Sequence, residues 1–416
     1  MYLDMKNGRI ELIIGPMYAG KTTELIRNAR RFQLRGKKIL AINHKSDVRY
    51  TDGNITTHDF DQFENTLSVE NFHQLFQDHF ERMKEADIIL VDELQFFSDA
   101  EEYIPRLANK YNKVVIAAGL DGNYLRQPFS NVCNLIPKAE YVKKITSYCD
   151  VKRDGTMAPF TKKIVGNTTD GAVEVGGKDK YLAVSRQAFT ENQCGSFDLI
   201  LGPMFSGKTT ELIRQANRYK QIGKKVLAIN HSSDQRYETS NICSHDLKKA
   251  EQTISVQSLE DIFTNYDEEY KNAEVIVIDE IQFFDNLAEH ICRMVEKDDK
   301  KVIAGGLDGD FMQRPFGETC DLIALADSFE KLSAICVLSE GFQDASFTRR
   351  TIPDTRQSLV GSSDIYMACS RGIYNMPDEE FLKIYLDYLK KREYQQKQNS
   401  LQADEFFRNK TAASPN

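Results

Sequence analysis

Short, wholly apolar runs recur along the chain, each set off from the next by helical periodicity or by polar residues. Leu12–Ile14, Ile39–Ile42, Ile88–Val91 and Val114–Ala117 read as strands, too apolar to have a wet face. Between the first two, Thr23–Leu34 has the period of a helix, with arginines late in it and Gly36 just beyond as a stop. Asn43–Asn65 is polar and reads as a loop, and Val69–Ala86 as a helix. The same order returns at Leu199–Leu201, Val226–Ile229, Val275–Ile278 and Val302–Ala304. Buried strands alternating with helices predict a three-layer α/β domain with a mainly parallel sheet.

After Phe129 the pattern changes. Ile145–Phe189 mixes β-type residues with Gly155, Gly166, Gly171, Gly176 and Gly177, which predicts a small β-rich appendage with a long loop; Ser333–Tyr374 is its counterpart. Pro377–Lys391 reads as one helix, with proline and acids in its first turn and lysines in its last. From Arg392 onward the chain is polar and is expected to fray.

The recurrence is a true repeat. Lys21 and Lys208 stand 187 positions apart (208 less 21), as do His58 and His245, Asp92 and Asp279, Phe129 and Phe316, and Cys149 and Cys336. Tyr181 and Tyr366 are 185 apart, so the second copy has lost two residues late in the repeat. A period this long means two whole domains. The expected division is 1–190, 195–376, and a C-terminal helix and tail over 377–416, with a short polar junction at Thr190–Ser196 that keeps the two domains neighbours.

Composition narrows the function. Of 416 residues, 41% are hydrophobic and 28% charged, an ordinary globular balance. A net charge of −8 argues against general affinity for nucleic acid or anionic membrane. No apolar run approaches the roughly 18 residues that cross a bilayer. The first residues, Met1–Lys6, lack a basic-then-apolar signal. Eight cysteines without a C-x-x-C pair suit reduced thiols, and the expected location is the cytoplasm.

The chemistry sits at the strand ends. Gly15-Pro16-Met17-Tyr18-Ala19-Gly20-Lys21-Thr22 and Gly202-Pro203-Met204-Phe205-Ser206-Gly207-Lys208-Thr209 each fit G-x-x-x-x-G-K-[ST], with an apolar strand before and a helix after. Backbone N–H groups of such a loop wrap a phosphate at a helix N-terminus, the lysine reaches the outer phosphates and the threonine ligates Mg²⁺. Two occurrences in the right context leave little room for chance. The strand at Ile88–Val91 ends in Asp92-Glu93, and that at Val275–Ile278 in Asp279-Glu280. The first acid of each pair is placed for Mg²⁺ and the second for a proton. These residues alone leave open whether the proton comes from an alcohol or from water. Gln95-Phe96-Phe97 and Gln282-Phe283-Phe284 follow, then Gly119-Leu120-Asp121-Gly122-Asn123-Tyr124 with Phe129, and Gly306-Leu307-Asp308-Gly309-Asp310-Phe311 with Phe316. An amide can pair with a base edge and aromatics can sandwich its ring, although a single aromatic near a strand end is more often core.

Taken together, these segments resemble the type II thymidine kinase family over nearly the full length of both copies, most specifically in Gly-Pro-Met-[Tyr/Phe]-[Ala/Ser]-Gly-Lys-Thr-Thr-Glu-Leu, Asp-Glu-x-Gln-Phe-Phe and Gly-Leu-Asp-Gly…Pro-Phe. The resemblance implies a tandem fusion of two P-loop NTPase-type α/β sandwiches, each with a small lasso-loop subdomain. It implies ATP-dependent phosphorylation of thymidine, and of deoxyuridine, at the 5′-hydroxyl. ATP and Mg²⁺ would be held by Gly15 to Thr22, Asp59, Asp92 and Gln95, and by Gly202 to Thr209, Asp246, Asp279 and Gln282. Mg²⁺ itself falls to Thr22, Asp92, Thr209 and Asp279, and the general bases are Glu93 and Glu280. Nucleoside contacts would come from Phe96, Leu120, Tyr124, Phe129, Thr161, Val173, Val175, Gly176 and Tyr181. Their second-copy equivalents are Phe283, Leu307, Phe311, Phe316, Thr348, Leu359, Val360, Gly361 and Tyr366. Family members assemble as oligomers, so an oligomer of fused chains is expected, with thymidine triphosphate a candidate feedback inhibitor.

Two departures stand out. The family anchors its closing loop with four cysteines on zinc, but here the matching positions are Cys149, Lys152, Ser185, Ala188 and Cys336, Ser339, Ser370, Ile373. One thiolate per copy cannot build a tetrahedral site, so no zinc is expected and packing must hold the loop base. Gly176-Gly177 becomes Gly361-Ser362 in a shortened second loop, which predicts weaker nucleoside binding there. The leading alternative makes one copy active and the other a structural or allosteric nucleotide-binding partner. A generic P-loop ATPase is a third reading, disfavoured by the acidic charge and the paired aromatic segments.

Overall fold

In a computed structural model of the chain, the described residues are 8–46, 55–56, 62–63, 66–165, 176–233, 253–339, 342–352, 354, 356 and 365–412. The first half is built on six strands: β1 (Arg9–Ile14), β2 (Ile39–His44), β3 (Thr66–Val69), β4 (Ile88–Val91), β5 (Val114–Gly119) and β6 (Tyr141–Lys144). Every pairing among them is parallel, in the order β3-β2-β4-β5-β1-β6. The second half repeats this with β7 (Ser196–Gly202), β8 (Val226–His231), β9 (Thr253–Val256), β10 (Val275–Ile278), β11 (Lys301–Leu307) and β12 (Ser328–Lys331), in the order β9-β8-β10-β11-β7-β12. The sheet is therefore wholly parallel, with β4 and β5 buried at every residue. Apolar runs with no polar alternation need cover on both faces. Helix α1 (Lys21–Gln33) lies against one face of the first sheet and α2 (Ala100–Tyr111) against the other; α3 (Lys208–Gln221) repeats α1.

Four details depart from the sequence expectation. The polar Asn43–Asn65 stretch contains a small antiparallel pair, Ile55–Thr56 with Gln62–Phe63. Val69–Ala86 is not one helix: Val69 closes β3, and two helices, Phe72–Asp78 and Phe80–Glu85, meet at His79, whose φ of −130° leaves the helical region. The strands β6 and β12, with an amphipathic pattern too short to stand out, add a sixth member to each sheet. Finally, the C-terminal helix α4 runs from Asp378 to Ala412 instead of fraying after Lys391. Its distal half is rich in Gln, Lys, Glu and Arg, which favour helix, with no Gly or Pro before Pro415.

The two halves share one continuous core. A single cluster of buried side chains runs from Ile10, Val132 and Ile136 of the first half to Phe197, Leu322 and Ile323 of the second. Edge strands β6 and β12 meet across this junction. Beyond each edge strand sits a small subdomain of antiparallel pairs. In half one these are Ser147–Tyr148 with Met157–Ala158, and Phe160–Lys163 with Tyr181–Val184; half two has Ala334–Ile335 with Asp344–Ala345, and Phe347–Arg350 with Tyr366–Cys369.

Candidate active site

The carboxyl ends of β1, β4 and β5 bring the predicted motifs together, where open parallel sheets bind ligands. Gly15 leaves β1 at φ 147°, and a Cβ there would lie 2.1 Å from the Ile145 carbonyl oxygen, so only glycine lets the loop pass β6. Tyr18 and Gly20 are also left-handed, at φ 64° and 81°, and Gly20 is the residue from which α1 starts. This curl puts loop amides over a helix N-terminus, the arrangement that favours a phosphate. The Lys21 ammonium reaches the Pro16 carbonyl at 2.6 Å, and Lys208 does the same to Pro203 at 2.7 Å.

Thr22, in the first turn of α1, turns its hydroxyl to Asp92, donating to Oδ2 at 3.0 Å; Thr209 and Asp279 pair at 2.8 Å. A hydroxyl and a carboxylate converging beside a phosphate loop form a hard-oxygen donor pair that fits Mg²⁺. Asp92 also accepts the Glu93 N–H at 3.1 Å. Glu93 itself is left-handed at φ 53°, as is Glu280 at φ 53°. That conformation costs on the order of 1 kcal/mol for a non-glycine residue, and strain held twice at matching acids is typical of functional sites. The turn swings the Glu93 carboxylate away from Asp92 and toward Gln95, whose amide N–H donates to Glu93 Oε2 at 2.5 Å. The Gln95 carbonyl oxygen accepts the Leu120 N–H at 3.0 Å. In half two, Gln282 donates to Glu280 and accepts from Leu307 at 3.0 Å. Gln95 and Gln282 are buried and bridge the acid to the aromatic loop, a role their sequence context did not announce.

One turn into α1, Glu24 is gripped by Arg27 at 2.7 and 2.6 Å and by Lys143 at 2.9 Å. The Arg27 bonds, with lesser help from Lys143, outweigh its burial and hold its carboxyl at about 2.

The aromatic loop brings Tyr124 within 6.3 Å of Tyr181, ring to ring, with the Lys163 ammonium 5.2 Å from the Tyr124 ring. Phe129, at the far end of the loop, is half-buried and packs partly on the core, and Phe96 lies 5.6 Å from His44. Thr161, on the strand Phe160–Lys163, accepts the Met17 N–H at 3.0 Å and so ties the phosphate loop to the small subdomain; Thr348 and Met204 repeat this at 3.0 Å. Gly176 stands next to Tyr181, where a Cβ would come within 3.1 Å of the ring. In half two Phe283 and Phe316 meet edge to face at 5.9 Å. There Arg350 replaces Lys163: its guanidinium lies 3.8 Å from the Phe311 ring and donates to the Tyr366 hydroxyl at 2.6 Å. Asp59, Asp246, Val173, Val175, Leu359, Val360 and Gly361 lie outside the described residues.

At the base of the small subdomain, Cys149 accepts the Ser185 N–H at 3.3 Å, and Ser185 caps the helix Arg186–Thr190. Burial disfavours the Cys149 thiolate, but the N–H groups of Ser185, Lys152 and Val151 outweigh it and hold the thiol below its usual range. In half two the Ser339 hydroxyl bonds Cys336 Sγ at 2.9 Å and meets the Ser370 hydroxyl at 2.8 Å. Hydrogen bonds and the apolar cluster of Cys149, Ala158, Phe160, Ala183 and Val184 hold this base together.

Sequence reasoning overlooked a set of charged residues at the junction. Arg186 donates to Asp327 at 2.8 Å, to Glu296 at 2.8 Å and to the Leu325 carbonyl, all in the other half. Arg371 does the converse, to Glu140, to Asn109 at 2.7 Å and to the Lys138 carbonyl. Their signal was the repeat itself, since each arginine follows a matched serine in both copies.

Comparison with known proteins gives one family twice. The family model described as thymidine kinase matches residues 8–189 and again 195–374. The vaccinia virus (strain Western Reserve) thymidine kinase is 39% identical over 188 residues, 45% of this chain and 100% of the viral protein. Thymidine kinase 1 of Dictyostelium discoideum is 39% identical over 190 residues, 45% of this chain and 79% of that protein. Thymidine kinase a of Arabidopsis thaliana is 38% identical over 184 residues, 43% of this chain and 75% of its own length.

Proposed function

Both halves of this chain belong to the thymidine kinase family, and from that premise we propose how its residues divide the phosphorylation of thymidine. ATP is the phosphoryl donor, its phosphates held by Gly15 to Thr22 in one half and Gly202 to Thr209 in the other. Mg²⁺, held by Thr22 with Asp92 and by Thr209 with Asp279, neutralises charge on the transferring phosphoryl group. Glu93 and Glu280 accept the proton of the 5′-hydroxyl. The nucleoside lies among Leu120, Tyr124, Phe129 and Tyr181, or Leu307, Phe311, Phe316 and Tyr366, with Thr161 or Thr348 joining that pocket to the phosphate loop. Among the described residues no helix is long and apolar enough to cross a membrane, and the proposed location is the cytoplasm.

The observation that supports this most is the chain of contacts repeated in both halves: threonine to aspartate, aspartate to a left-handed glutamate, glutamate through glutamine to the aromatic loop. It sets an acid between a phosphate cradle and an aromatic pocket, and so favours an alcohol over water as the proton source. The test measures ADP and thymidine monophosphate from purified full chain, with and without thymidine. Glu93→Gln and Glu280→Gln should each silence one site, and the double variant should lose on the order of 10²–10⁴-fold in turnover. ATP consumption that ignores thymidine and yields no monophosphate overturns the assignment.

A second reading, that half two is the weaker nucleoside site, is favoured by Arg350. Its guanidinium covers Phe311 and donates to Tyr366, where half one places the Lys163 ammonium 5.2 Å from the Tyr124 ring. Under this reading the Glu93→Gln enzyme has the higher KM for thymidine of the two single variants.

A further inference from the structure

Two lysines outside every site named above end β6 and β12 and are almost wholly buried. Lys144 Nζ meets Asp121 Oδ2 of its own half at 2.7 Å, and the carbonyls of Ile323 and Ala326 of the other half at 2.6 and 2.9 Å. Lys331 mirrors it, with Asp308 at 2.5 Å and the carbonyls of Ile136 and Ala139 at 2.7 and 2.8 Å. The side chains of the two ion pairs are 1% and 4% exposed in each case. An ammonium has three hydrogens. Each ammonium donates two of them to carbonyls across the junction, and the aspartate of its own half holds it as an ion pair.

The aspartates are the second residues of the Leu120-Asp121 and Leu307-Asp308 segments, so each lysine holds the loop that carries the aromatic pocket. From Asp121 the connection runs on through Leu120 N–H to Gln95 and then to Glu93. Phe129 N–H returns to the Asp121 carbonyl at 3.2 Å, pinning the far end of the same loop. Backbone packing doubles the link. A Cβ on Gly122 would lie 2.8 Å from Ala324 Cβ of the other half, and one on Gly309 would lie 2.5 Å from Pro137 Cβ.

We propose that Lys144 and Lys331 are positioning residues through which each half sets the nucleoside loop of the other. The inference rests on the kinase reading of these sites. A half without its partner leaves the ammonium without both of its carbonyl acceptors, and the aspartate it pairs with shares that loss of anchorage, so the loop loses its fixed place. A buried pair broken on one side is costly because the remaining charge stays in a low dielectric. The nearest structure able to relax is the Leu120–Phe129 loop, so the effect falls on thymidine more than on ATP.

The test uses the full chain in two parents: Glu280→Gln, in which half one alone turns over, and Glu93→Gln, in which half two does. In the first parent, Lys144→Met should raise KM for thymidine roughly tenfold, within the span of through-structure coupling, while KM for ATP changes much less. Ala324→Val introduces no charge and sits in half two, yet in the same parent it should raise thymidine KM in half one. Lys331→Met in the second parent should act as Lys144→Met does in the first. A purely structural role lowers the active fraction, and so kcat, without moving KM. Unchanged thymidine KM in both Lys144→Met and Ala324→Val, with folded protein by circular dichroism, overturns the inference. If neither parent shows thymidine-dependent turnover, the kinase roles of Glu93 and Glu280 fail first, visibly, before any lysine is changed.

Discussion

Arg186 and Arg371 hold equivalent places in the repeat, yet their removal should not cost the same. Each guanidinium is buried, 3% and 5% exposed, and each reaches carboxylates of the opposite half. In Arg186→Leu the orphaned anions keep other partners: Glu296 retains Arg126, and Asp327 still accepts the Phe197 N–H at 2.8 Å. In Arg371→Leu, the Glu140 carboxylate retains the Ile10 N–H, at 2.8 Å, but loses the guanidinium that neutralises it. Stranding one ion of a fully buried pair costs about 3–5 kcal/mol. These carboxylates are about one-fifth exposed, at 18%, 22% and 21%, so water takes back part of the loss. We therefore expect about 2 kcal/mol for Arg186→Leu and about 3 kcal/mol for Arg371→Leu. Urea unfolding of the full chain, followed by intrinsic tyrosine fluorescence and circular dichroism together, reads the two midpoints. Arg371→Leu/Glu140→Gln should recover most of its loss, because the amide oxygen still accepts the Ile10 N–H without a buried charge. An Arg186→Leu midpoint as low as that of Arg371→Leu, or no recovery in the double variant, refutes the reasoning.

Three further outcomes follow from single contacts. Gly15→Ala should lower the calorimetric ATP stoichiometry of the full chain from two sites to one, because its Cβ would sit 2.1 Å from the Ile145 carbonyl; Gly36→Ala, left-handed but with open space around it, should leave ATP binding intact and cost about 1 kcal/mol of stability. Thr22→Ala should raise the half-saturating Mg²⁺ concentration of half one roughly tenfold, read from initial rates in the Glu280→Gln parent, since it removes the hydroxyl facing Asp92. Burial raises the Glu296 pKa, but Arg126 and Arg186 outweigh it, and the carboxyl sits below its ordinary 4.5. A depressed folded pKa gives stability that is full above the unfolded value and is lost as pH falls through the folded one. The gap in urea midpoint between the parent chain and Glu296→Gln should thus be constant above about pH 5 and close progressively below 4.5, and a gap that widens on acidification contradicts the ion-pair account.

How much of this could be seen in the sequence depended on whether a residue's role was local. The phosphate loop, the Asp-Glu ends of β4 and β10, and the strands themselves announce their roles within eight or ten residues, because glycine placement and apolar runs fix backbone geometry on the spot. The single helix expected over Val69–Ala86 fails for the converse reason: Val69 is drawn into β3 by pairing with β2, and His79 divides the rest through its backbone angle, neither of which hydrophobic spacing encodes. Gln95 reads from the sequence as a ligand-facing amide; that it also joins Glu93 to the Leu120 N–H was not legible, because those groups come from two strand ends that only the sheet brings together. Lys144 was invisible for a stronger reason, since its two hydrogen-bond acceptors are backbone carbonyls and belong to the other half.

The junction also explains what a fused pair can do that two separate copies cannot. In a symmetric homodimer any contact appears twice with identical residues, so a pair must suit both ends of the axis at once. Here the lysine clamps keep that symmetry: Lys144 and Lys331 reach carbonyls at offsets of the repeat. Arg126 breaks it. It pairs with Glu296 and lies 4.4 Å from the Phe189 ring, whereas its counterpart is the neutral Gln313 and the counterpart of Glu296 is Asn109. In a homodimer of first halves, Arg126 would face Asn109 at both ends, and no carboxylate would answer it. Covalent fusion lets one end become an ion triad of Arg126, Arg186 and Glu296 while the other keeps a single arginine on Glu140. The same freedom extends to the sites, where Lys163 and Arg350 meet equivalent aromatics with different chemistry. Exchanging them tests whether that divergence is functional: Lys163→Arg in the Glu280→Gln parent should move the thymidine KM of half one toward that of half two, and Arg350→Lys in the Glu93→Gln parent should move it back. Values that stay put under both exchanges mean the difference at this position is neutral.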